Sequence, residues 1–526
     1  MADDPRVAIV GGGPVGLALA VELGLRGVPC TVIERRAEPH RIPKGQNLTQ
    51  RTLDLFHSWG IADELRSRRA IRPGFPGNSI VAYGNLMSEH WYCGVYRTAV
   101  DKHYFQRSER LPQYLTEQVL RERLDEIPGV AVRTGWSAET VRQSDRGAAV
   151  EIAESGGGGR ETIEADYAVG CDGSRSLVRE SAGLASSGTD YEQTMVLAVF
   201  RSTALSEGLK RFPPGYIYRV VHGDLKGYWR FFGRIDEHEG WFFHAPVGGM
   251  ERSENGVRAL LHEAAGFEFE CGFDHIGYWD LRVSIADRFR AGRLFIAGDA
   301  AHSHPPYGGY GLNTGFEDAA NLGWKLAAAL QGWGGEALLD SYGEERRAVA
   351  RSTAEEFIDN RISEDRELFD RIDPHRDAAE FARDWEAYAR AGDRHLNRYA
   401  PHYAGSSAIE GPPGGVTGAR SERTERARPG HYLPPWQLIS GRNVFEELGR
   451  GFSLVALNAG NGEIAAFERA AGRRSVPLKV VREPSPESCE RYGAALVLVR
   501  PDSYVAWTGD AAPRDADAVM AKVTGR

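Results

Sequence analysis

The sequence predicts an α/β protein in which an antiparallel sheet is inserted into a parallel one, and three observations support this. A strand, a glycine-rich turn, a helix and a second strand follow one another within residues 6–34. Between about 190 and 280, aromatic and β-branched residues alternate, as is typical of antiparallel strands. From about 281, a buried strand, a loop and a helix follow again, so we expect the first architecture to resume there.

Size and composition narrow the class of protein. The chain has 526 residues, enough for roughly two to four domains, and 42% of them are hydrophobic. Its net charge of -9 argues against general binding of nucleic acids or anionic membranes. No apolar run reaches the roughly 18 residues of a membrane span, and the first strand begins too early for a signal peptide. Five scattered cysteines suit a reducing cytoplasm and offer neither a metal site nor a disulfide framework.

The first βαβ unit carries a dinucleotide-binding pattern. Gly11, Gly13 and Gly16 form GxGxxG between the strand RVAIV and a helix. The first glycine permits a tight turn, the second lets a pyrophosphate approach the backbone, and the third lets helix and strand pack closely. Glu34 ends the second strand, where an acid should accept the ribose hydroxyls. Arg35 is free either to stack on an adenine or to remain solvated.

The other elements follow in order along the chain. An amphipathic helix is predicted over 111–127, two strands follow over 130–143 and 148–155, and another buried strand begins at 165. Charge-rich helices are predicted over 336–397 and a linker over 411–430. The last hundred residues predict a small α/β module.

A second ligand-binding segment begins with the apolar strand 294–297. Asp299 follows at the end of that strand, then a Pro/Gly-rich loop, then a helix that opens near Asn313. Glycine lets a ligand approach the backbone, and a helix start offers free N–H groups and a positive dipole end. This arrangement predicts a site for a flat, anionic ligand.

Three motifs in this order, GGGPVG, CDGSRSLVR and GDAAHSHPPYGGYGLNTGFEDAANLGWKL, resemble those of the single-component FAD-dependent aromatic hydroxylases. The resemblance covers nearly the whole chain, and IPKGQNLTQRTLDLFHSWG resembles a subgroup that acts on phenols or hydroxypyridines. It implies a Rossmann-like FAD-binding domain over 1–185 and 281–400 and a substrate-binding sheet domain over 186–280. The module over 415–526 resembles the thioredoxin-like domain of phenol and polyketide hydroxylases. It lacks CxxC, so we expect packing or oligomer contacts from it rather than thiol chemistry.

The resemblance also implies roles for single residues. Asp299 would bind the ribityl hydroxyls of FAD, and Pro306 would lie against the flavin near its reactive edge as the catalytic position. Gly311, Leu312 and Asn313 would present backbone to the pyrimidine end of the ring. The implied cofactor-binding residues are Gly11, Gly13, Pro14, Val15, Gly16, Glu34, Arg35, Gln46, Gln113, Asp172, Asp299, Pro306, Gly309, Gly311, Leu312 and Asn313.

The implied reaction is ring hydroxylation. NADH or NADPH reduces the flavin, O2 forms a C4a-hydroperoxide, and one oxygen atom enters an electron-rich aromatic ring. No second GxGxxG is present, so the nicotinamide is expected to dock transiently. The inserted sheet would roof the substrate, with Tyr216, Trp229, Phe231 and Phe243 as lining residues or, alternatively, as core.

Several alternatives stay open at this point. Baeyer–Villiger or epoxidising oxygenation can use the same scaffold, and a flavin-binding protein without turnover or a plain NAD dehydrogenase would share the first motif. Asp172 would serve either the pyrophosphate or a structural turn. Tyr310, where many relatives have glutamine, would either shape the mobility of the flavin or pack. A homo-oligomer is compatible with the sequence.

Overall fold

A parallel sheet lies at the centre of the domain formed by the residues before and after the inserted sheet. The structure, a computed structural model, describes residues 5–94 and 98–526, without the side chains of residues 98 and 392–396. Within these residues the sheet has six strands, of which only the edge strand Arg290–Ala291 is antiparallel. In spatial order they are Arg290–Ala291, Leu294–Ile296, Tyr167–Gly170, Val7–Val10, Cys30–Glu34 and Val130–Thr134. The predicted return of the chain to this sheet after the insertion is confirmed.

The inserted sheet, called the aromatic sheet below, is larger than predicted. Its strands in spatial order are Gly272–Arg282, Asp190–Arg201, Gly240–Pro246, Arg230–Arg234, Gly215–Val221, Asn78–Tyr83 and Trp91–Gly94. The last two precede the predicted segment 186–280, and the pair between Asn78–Tyr83 and Gly215–Val221 is parallel. Pairing covers a sheet edge that would otherwise be open. Sequence alternation cannot say which distant strand does so.

The two faces of the aromatic sheet have different neighbours. Helix Glu254–Ala265 covers the outer face, where Phe232, Trp241 and Phe243 are buried with the apolar side of that helix. The inner face turns toward the parallel sheet and the long helices. Any ligand held between the two sheets would therefore meet only the inner-face residues.

The helices cover the sheets and connect the domains. Helix Gly311–Leu330 packs against helix Pro14–Gly24 over the parallel sheet. The others are Gln50–Ser58, Ala62–Ser67, Gln113–Asp125, Leu177–Ser181, Thr203–Gly208, Glu254–Ala265, Glu336–Ser352, Asn360–Arg371, Ala378–Arg398, Val444–Glu447, Asn461–Arg473, Pro486–Tyr492 and Ala516–Val523, with a π-helical turn over Thr353–Asp359. No described helix combines the length and the apolar character needed to cross a membrane.

Short antiparallel strands complete the structure. One small sheet consists of Trp136–Gln143, Ala148–Glu154 and Arg160–Ala165, and the remaining pairs join Asn47–Leu48 to Glu109–Arg110, Ser284–Ala286 to both Ser186–Ser187 and His302–Ser303, and Tyr399–Tyr403 to Thr417–Arg420.

The C-terminal module is thioredoxin-like, as predicted. Its sheet has the spatial order Leu478–Glu483, Phe452–Leu457, Leu496–Val499 and Val505–Gly509, with one parallel and two antiparallel pairs. Helices follow its first, second and last strands along the chain.

A buried ionic cluster joins this module to the first domain. Arg500 of the module donates to both carboxylate oxygens of Glu345, at 2.6 and 2.9 Å, and pairs with Asp502. Lys325 donates to the same Glu345 at 2.8 Å, and all of these side chains are almost fully buried. Glu345 lies in LLDSYGEERRAVA and Arg500 in LVRPDSYVAWTG, two segments that also resemble the hydroxylase family. Lys325 lies at the end of the motif GDAAHSHPPYGGYGLNTGFEDAANLGWKL, so three distant segments meet in this cluster.

Candidate flavin and substrate site

The three glycines of the first turn have distinct surroundings. Gly11 has φ +109°, and a Cβ there would lie 2.3 Å from the carbonyl oxygen of Cys171. A Cβ on Gly16 would lie 2.0 Å from the carbonyl oxygen of Gly11. A Cβ on Gly13 would meet no described atom within 4 Å. Packing therefore accounts for the first and third glycines, whereas Gly13 borders open space that a phosphate could fill.

The carboxylate of Glu34 is held at this turn by backbone groups. One oxygen accepts from the N–H of Gly12 at 2.8 Å, and the other accepts from the N–H of Arg36 at 2.9 Å. Each oxygen keeps acceptor capacity for a ribose hydroxyl. Arg35, beside it, is exposed.

Val15 brings the two glycine-bearing motifs together. A Cβ on Gly298 would lie 2.9 Å from a Val15 methyl, and one on Gly315 would lie 2.6 Å from the same methyl. Pro14 occupies the first helical turn, where its missing N–H costs nothing. The turn after strand Val7–Val10 and the loop after strand Leu294–Ile296 thus border one cleft.

One face of helix Gln113–Asp125 lies against the glycine-rich turn that contains Gly12. Gln113 donates to Glu117 at 2.8 Å, and Arg121 donates to the carbonyl oxygen of Gly12 at 2.9 Å. Burial raises the pKa of Glu117. The sequence analysis missed Arg121, although positions 113, 117 and 121 share a helix face by their spacing of four.

Asp299 lines the cleft. Its side chain is open to solvent by surface area, yet it lies deep enough for desolvation to raise its pKa, while His302 and Lys44 act in the opposite direction. Asp299 is thus a carboxyl group that solvent reaches but that its surroundings partly desolvate. Such a group gains when a ligand hydroxyl replaces partial hydration.

The loop that follows Asp299 is anchored from behind by Asp318. This carboxylate accepts from the backbone of Gly298 at 2.9 Å, from His302 at 2.7 Å and from Arg346 at 2.7 Å. Burial acts to raise the pKa of Asp318, but His302 and Arg346 outweigh it and lower the pKa to about 2. His302 is therefore a structural residue that fixes the loop.

Pro306, in the loop itself, is exposed. Gly308 and Gly309 both have positive φ, and a Cβ on Gly308 would lie 2.3 Å from the ring of Tyr310. Tyr310 is buried, with its ring centre 4.2 Å from that of Tyr399. Of the two roles considered for Tyr310, the structure shows packing.

Asn313 anchors the start of helix Gly311–Leu330. Its amide nitrogen donates to the carbonyl oxygens of Asn47 and Gly309, and its amide oxygen accepts from Thr49 and Thr52. The side chain is fully engaged, so only the backbone of this residue is left to meet a ligand.

Gly45, the residue before Gln46, lies against Leu312 at the same helix start. A Cβ on Gly45 would lie 3.0 Å from Leu312 and 3.5 Å from the amide oxygen of Gln113. Gln46 is buried and accepts from Arg110, but its Nε2 has no hydrogen-bond partner among the described residues. Because buried amide groups are nearly always hydrogen-bonded, this one points to a missing ligand.

The carboxylate of Asp172 binds backbone groups of the turn that follows it. One carboxylate oxygen accepts from the N–H groups of Leu177 and Val178, and the hydroxyl of Ser176 caps the same short helix. Burial raises the pKa of Asp172, and its second oxygen has no partner in the described part of the chain. The contacts favour the structural alternative for this residue.

Three of the four predicted substrate residues are associated with the inner face of the aromatic sheet. Trp229 lies 5.4 Å from Tyr307 and 4.6 Å from Phe231, measured between ring centres. The guanidinium of Arg110 lies over the rings of both Tyr216 and the inner-face residue Phe242, so Tyr216 borders the same face. Phe243 is placed differently: it is fully buried on the outer face against Phe232, because strand alternation turns it away. Its prediction as a substrate-binding residue is therefore corrected.

The inner face also carries residues that the sequence analysis missed. Phe242 and His244 flank Phe243 on the same strand and point to the other side, and Trp279 lies near His244. The period-two pattern of the strand predicts that Phe242 and His244 share one face and that Phe243 lies on the other. It does not predict which of the two faces turns toward the parallel sheet. Among the described residues, no group of three or more His, Cys, Asp or Glu side chains could hold a metal ion.

Comparison with known proteins agrees with this geometry. A family described as "FAD binding domain" matches residues 4–356, and one described as "Aromatic-ring hydroxylase, C-terminal" matches residues 426–526. The chain belongs to the FAD-dependent aromatic-ring hydroxylases. It is a flavoprotein monooxygenase of that family, not a plain NAD dehydrogenase.

Individual relatives match over almost the full length. The chain is 32% identical to the FAD-dependent monooxygenase apdD of Emericella nidulans, over 99% of this chain and 90% of the relative. It is 30% identical to a 4-methyl-5-nitrocatechol 5-monooxygenase of a Burkholderia species, over 98% and 96%. A ternary complex of aklavinone-11 hydroxylase with FAD and aklavinone has a TM-score of 0.84, at 28% identity and full coverage of both chains.

Proposed function

We propose that this monooxygenase hydroxylates an electron-rich aromatic or heteroaromatic ring of the phenol or hydroxypyridine class, with O2 and NADH or NADPH as co-substrates. The observation that carries the proposal is the contact between Trp229 and Tyr307. It connects the aromatic inner face to the loop of Pro306, so a flat ring bound there would lie next to the cofactor cleft.

The residues of the cleft fit FAD. Gly13 leaves room for a pyrophosphate, Glu34 offers a fixed carboxylate to a ribose, and Asp299 offers a partly desolvated acceptor to ribityl hydroxyls. Gln46 has a free donor, and the start of helix Gly311–Leu330 would offer N–H groups and a positive dipole end to an anionic part of the cofactor. When bound, FAD supplies the redox chemistry, namely acceptance of a hydride and activation of O2.

The chain contributes placement and exclusion of water. Phe231 and Trp229 pack edge to face, and Phe242 lies beside them, so this wall of the site is dry. A water-poor wall limits side reactions of a reactive intermediate with water, and it strengthens the few polar contacts present. An aromatic substrate would gain both ring contacts and orientation from it.

The test is a screen of the FAD-loaded protein with phenol, catechol, 2-naphthol and 3-hydroxypyridine, each with NADH and with NADPH. We expect at least one of them to stimulate nicotinamide and O2 consumption and to yield a product heavier by one oxygen atom. Isotope-labelled O2 would place its label in the product. The Gly13→Val variant, assayed without added FAD, is the negative control.

Other outcomes would identify the alternatives. A lactone or an epoxide as the product would show Baeyer–Villiger or epoxidising chemistry. Substrate binding without any oxygen transfer would show a flavin protein that holds its ligand without oxygenating it. Either result would defeat the hydroxylation proposal.

A further inference from the structure

His244 occupies the centre of the inner aromatic face. Its ring centre lies 5.1 Å from that of Phe231, 5.7 Å from that of Phe242 and 6.2 Å from that of Trp279. Phe231 is also its direct partner across the strand pair. The imidazole thus lies beside Phe231 and Phe242, two of the rings that the proposed function assigns to the substrate wall.

One ring nitrogen of this imidazole is not satisfied by the protein. The residue is 6% exposed, and its Nδ1 is buried without a hydrogen-bond partner in the described part of the chain. Buried polar side-chain atoms nearly always have a partner, and an exception calls for a ligand or a water.

The charge state of His244 restricts what it can bind. Burial lowers the pKa of this imidazole to about 4, so it is neutral near pH 7. A neutral imidazole has one donor and one acceptor nitrogen, which matches a hydroxyl group. A carboxylate or phosphate would find no compensating charge on this residue.

We propose that His244 binds a neutral ring hydroxyl of the aromatic substrate and so positions the ring against Phe231 and Trp279. This inference rests on the proposed function and adds a specificity-determining residue to it. The strongest competing explanation is an ordered water on Nδ1, which would leave substrate choice independent of this side chain.

The experiment compares two ligands of the FAD-loaded protein: the hydroxyaromatic of the panel with the highest turnover, and its O-methyl ether. Dissociation constants follow from changes in flavin absorbance, so the readout does not require turnover. We expect the wild type to prefer the hydroxyl form by about tenfold, the value of one hydrogen bond. His244→Phe should remove most of that preference and raise KM more than it lowers kcat, and His244→Asn should restore part of the preference.

Controls separate the possible failures. His244→Phe must retain FAD and a melting temperature near that of the wild type, and His375→Phe, in an exposed loop, should retain the full preference. If His244→Phe retains FAD and still discriminates, or if the wild type does not discriminate, the His244 assignment is overturned while hydroxylation stands. If no panel member is bound or oxidised, both the proposed function and this assignment fail. If His244→Phe does not fold, His244→Leu takes its place, because leucine also lacks a hydrogen-bonding group. An unchanged preference in that variant would overturn the assignment.

Discussion

The cofactor cleft and the junction with the C-terminal module differ in whether their polar groups are buried and hydrogen-bonded within the protein. At the junction, Glu345 is fully buried and is met by both Arg500 and Lys325. In the cleft, Asp299 is exposed and Gln46 keeps an unpaired donor. Both regions derive from family-like motifs, so motif resemblance alone does not distinguish them. The state of their hydrogen bonds distinguishes them, since the buried ions of the junction are satisfied within the protein and polar groups of the cleft are not.

The comparison predicts different losses for the two regions. Changes at the junction should lower the free energy of unfolding, and changes in the cleft should weaken FAD binding while the fold persists. A cleft variant that unfolds, or a junction variant that is stable, would break the distinction.

The largest effect is expected for Glu345→Gln. It leaves the cations of Arg500 and Lys325 buried without their carboxylate, which should cost about 3–5 kcal/mol of unfolding free energy. Denaturant titration measures this loss. Glu344→Gln, a change at the exposed neighbouring carboxylate, should cost no more than about 1 kcal/mol. Equal stability of the two variants would show that the cluster is not a stabilising contact.

The next largest effect separates two glycines of one turn. In Gly13→Val the new side chain meets open space, so the fold should persist while FAD loses about 3 kcal/mol of binding, or roughly 100-fold in affinity. In Gly16→Ala the new methyl meets the carbonyl oxygen of Gly11, so stability should fall by about 1–3 kcal/mol. Thermal melting of the apo forms and titration with FAD measure the two losses. The reverse pattern would contradict the assignment of Gly13 to the cofactor.

Asp299→Ala should weaken the binding of FAD by about 1.5–3 kcal/mol, because the ribityl hydroxyls would lose an ionised acceptor. Quenching of flavin fluorescence gives the dissociation constant. Asp287→Ala removes an exposed carboxylate from the same segment and should leave the constant unchanged. Full retention of FAD by Asp299→Ala would refute its role.

A pH-dependent effect is expected where the two regions meet. The pKa of Asp318 is lowered to about 2 in the fold from an ordinary 3.8, so its ionised form stabilises the protein at pH values above about 4. This contribution, about 2 kcal/mol at pH 6, should be roughly half lost by pH 3. Unfolding of wild type and Asp318→Asn at both pH values measures it. A gap that does not shrink on acidification would argue against an ionised Asp318.

Much of the cleft could be predicted because its elements are local. The GxGxxG turn, the end of strand Cys30–Glu34 and the loop after Asp299 each lie within a few residues of a strand or helix boundary. Their glycines and their acid are explained by steric room and by hydrogen bonding at those boundaries. The same reasoning failed for Phe243, because a period-two pattern shows two faces and not which of them meets the ligand.

The amino-acid sequence by itself determined the βαβ unit, the aromatic strands and a small C-terminal α/β module, since hydrophobic period and glycine placement act over short range. The thioredoxin-like character of that module was implied by the family resemblance. Only the tertiary structure decided that strands Asn78–Tyr83 and Trp91–Gly94 complete the aromatic sheet and that Arg500 reaches Glu345. It also decided which side chains remain unsatisfied, His244 and Gln46 among them. Hydrogen-bond satisfaction depends on partners far apart in the chain, and those partners are set by packing rather than by local pattern.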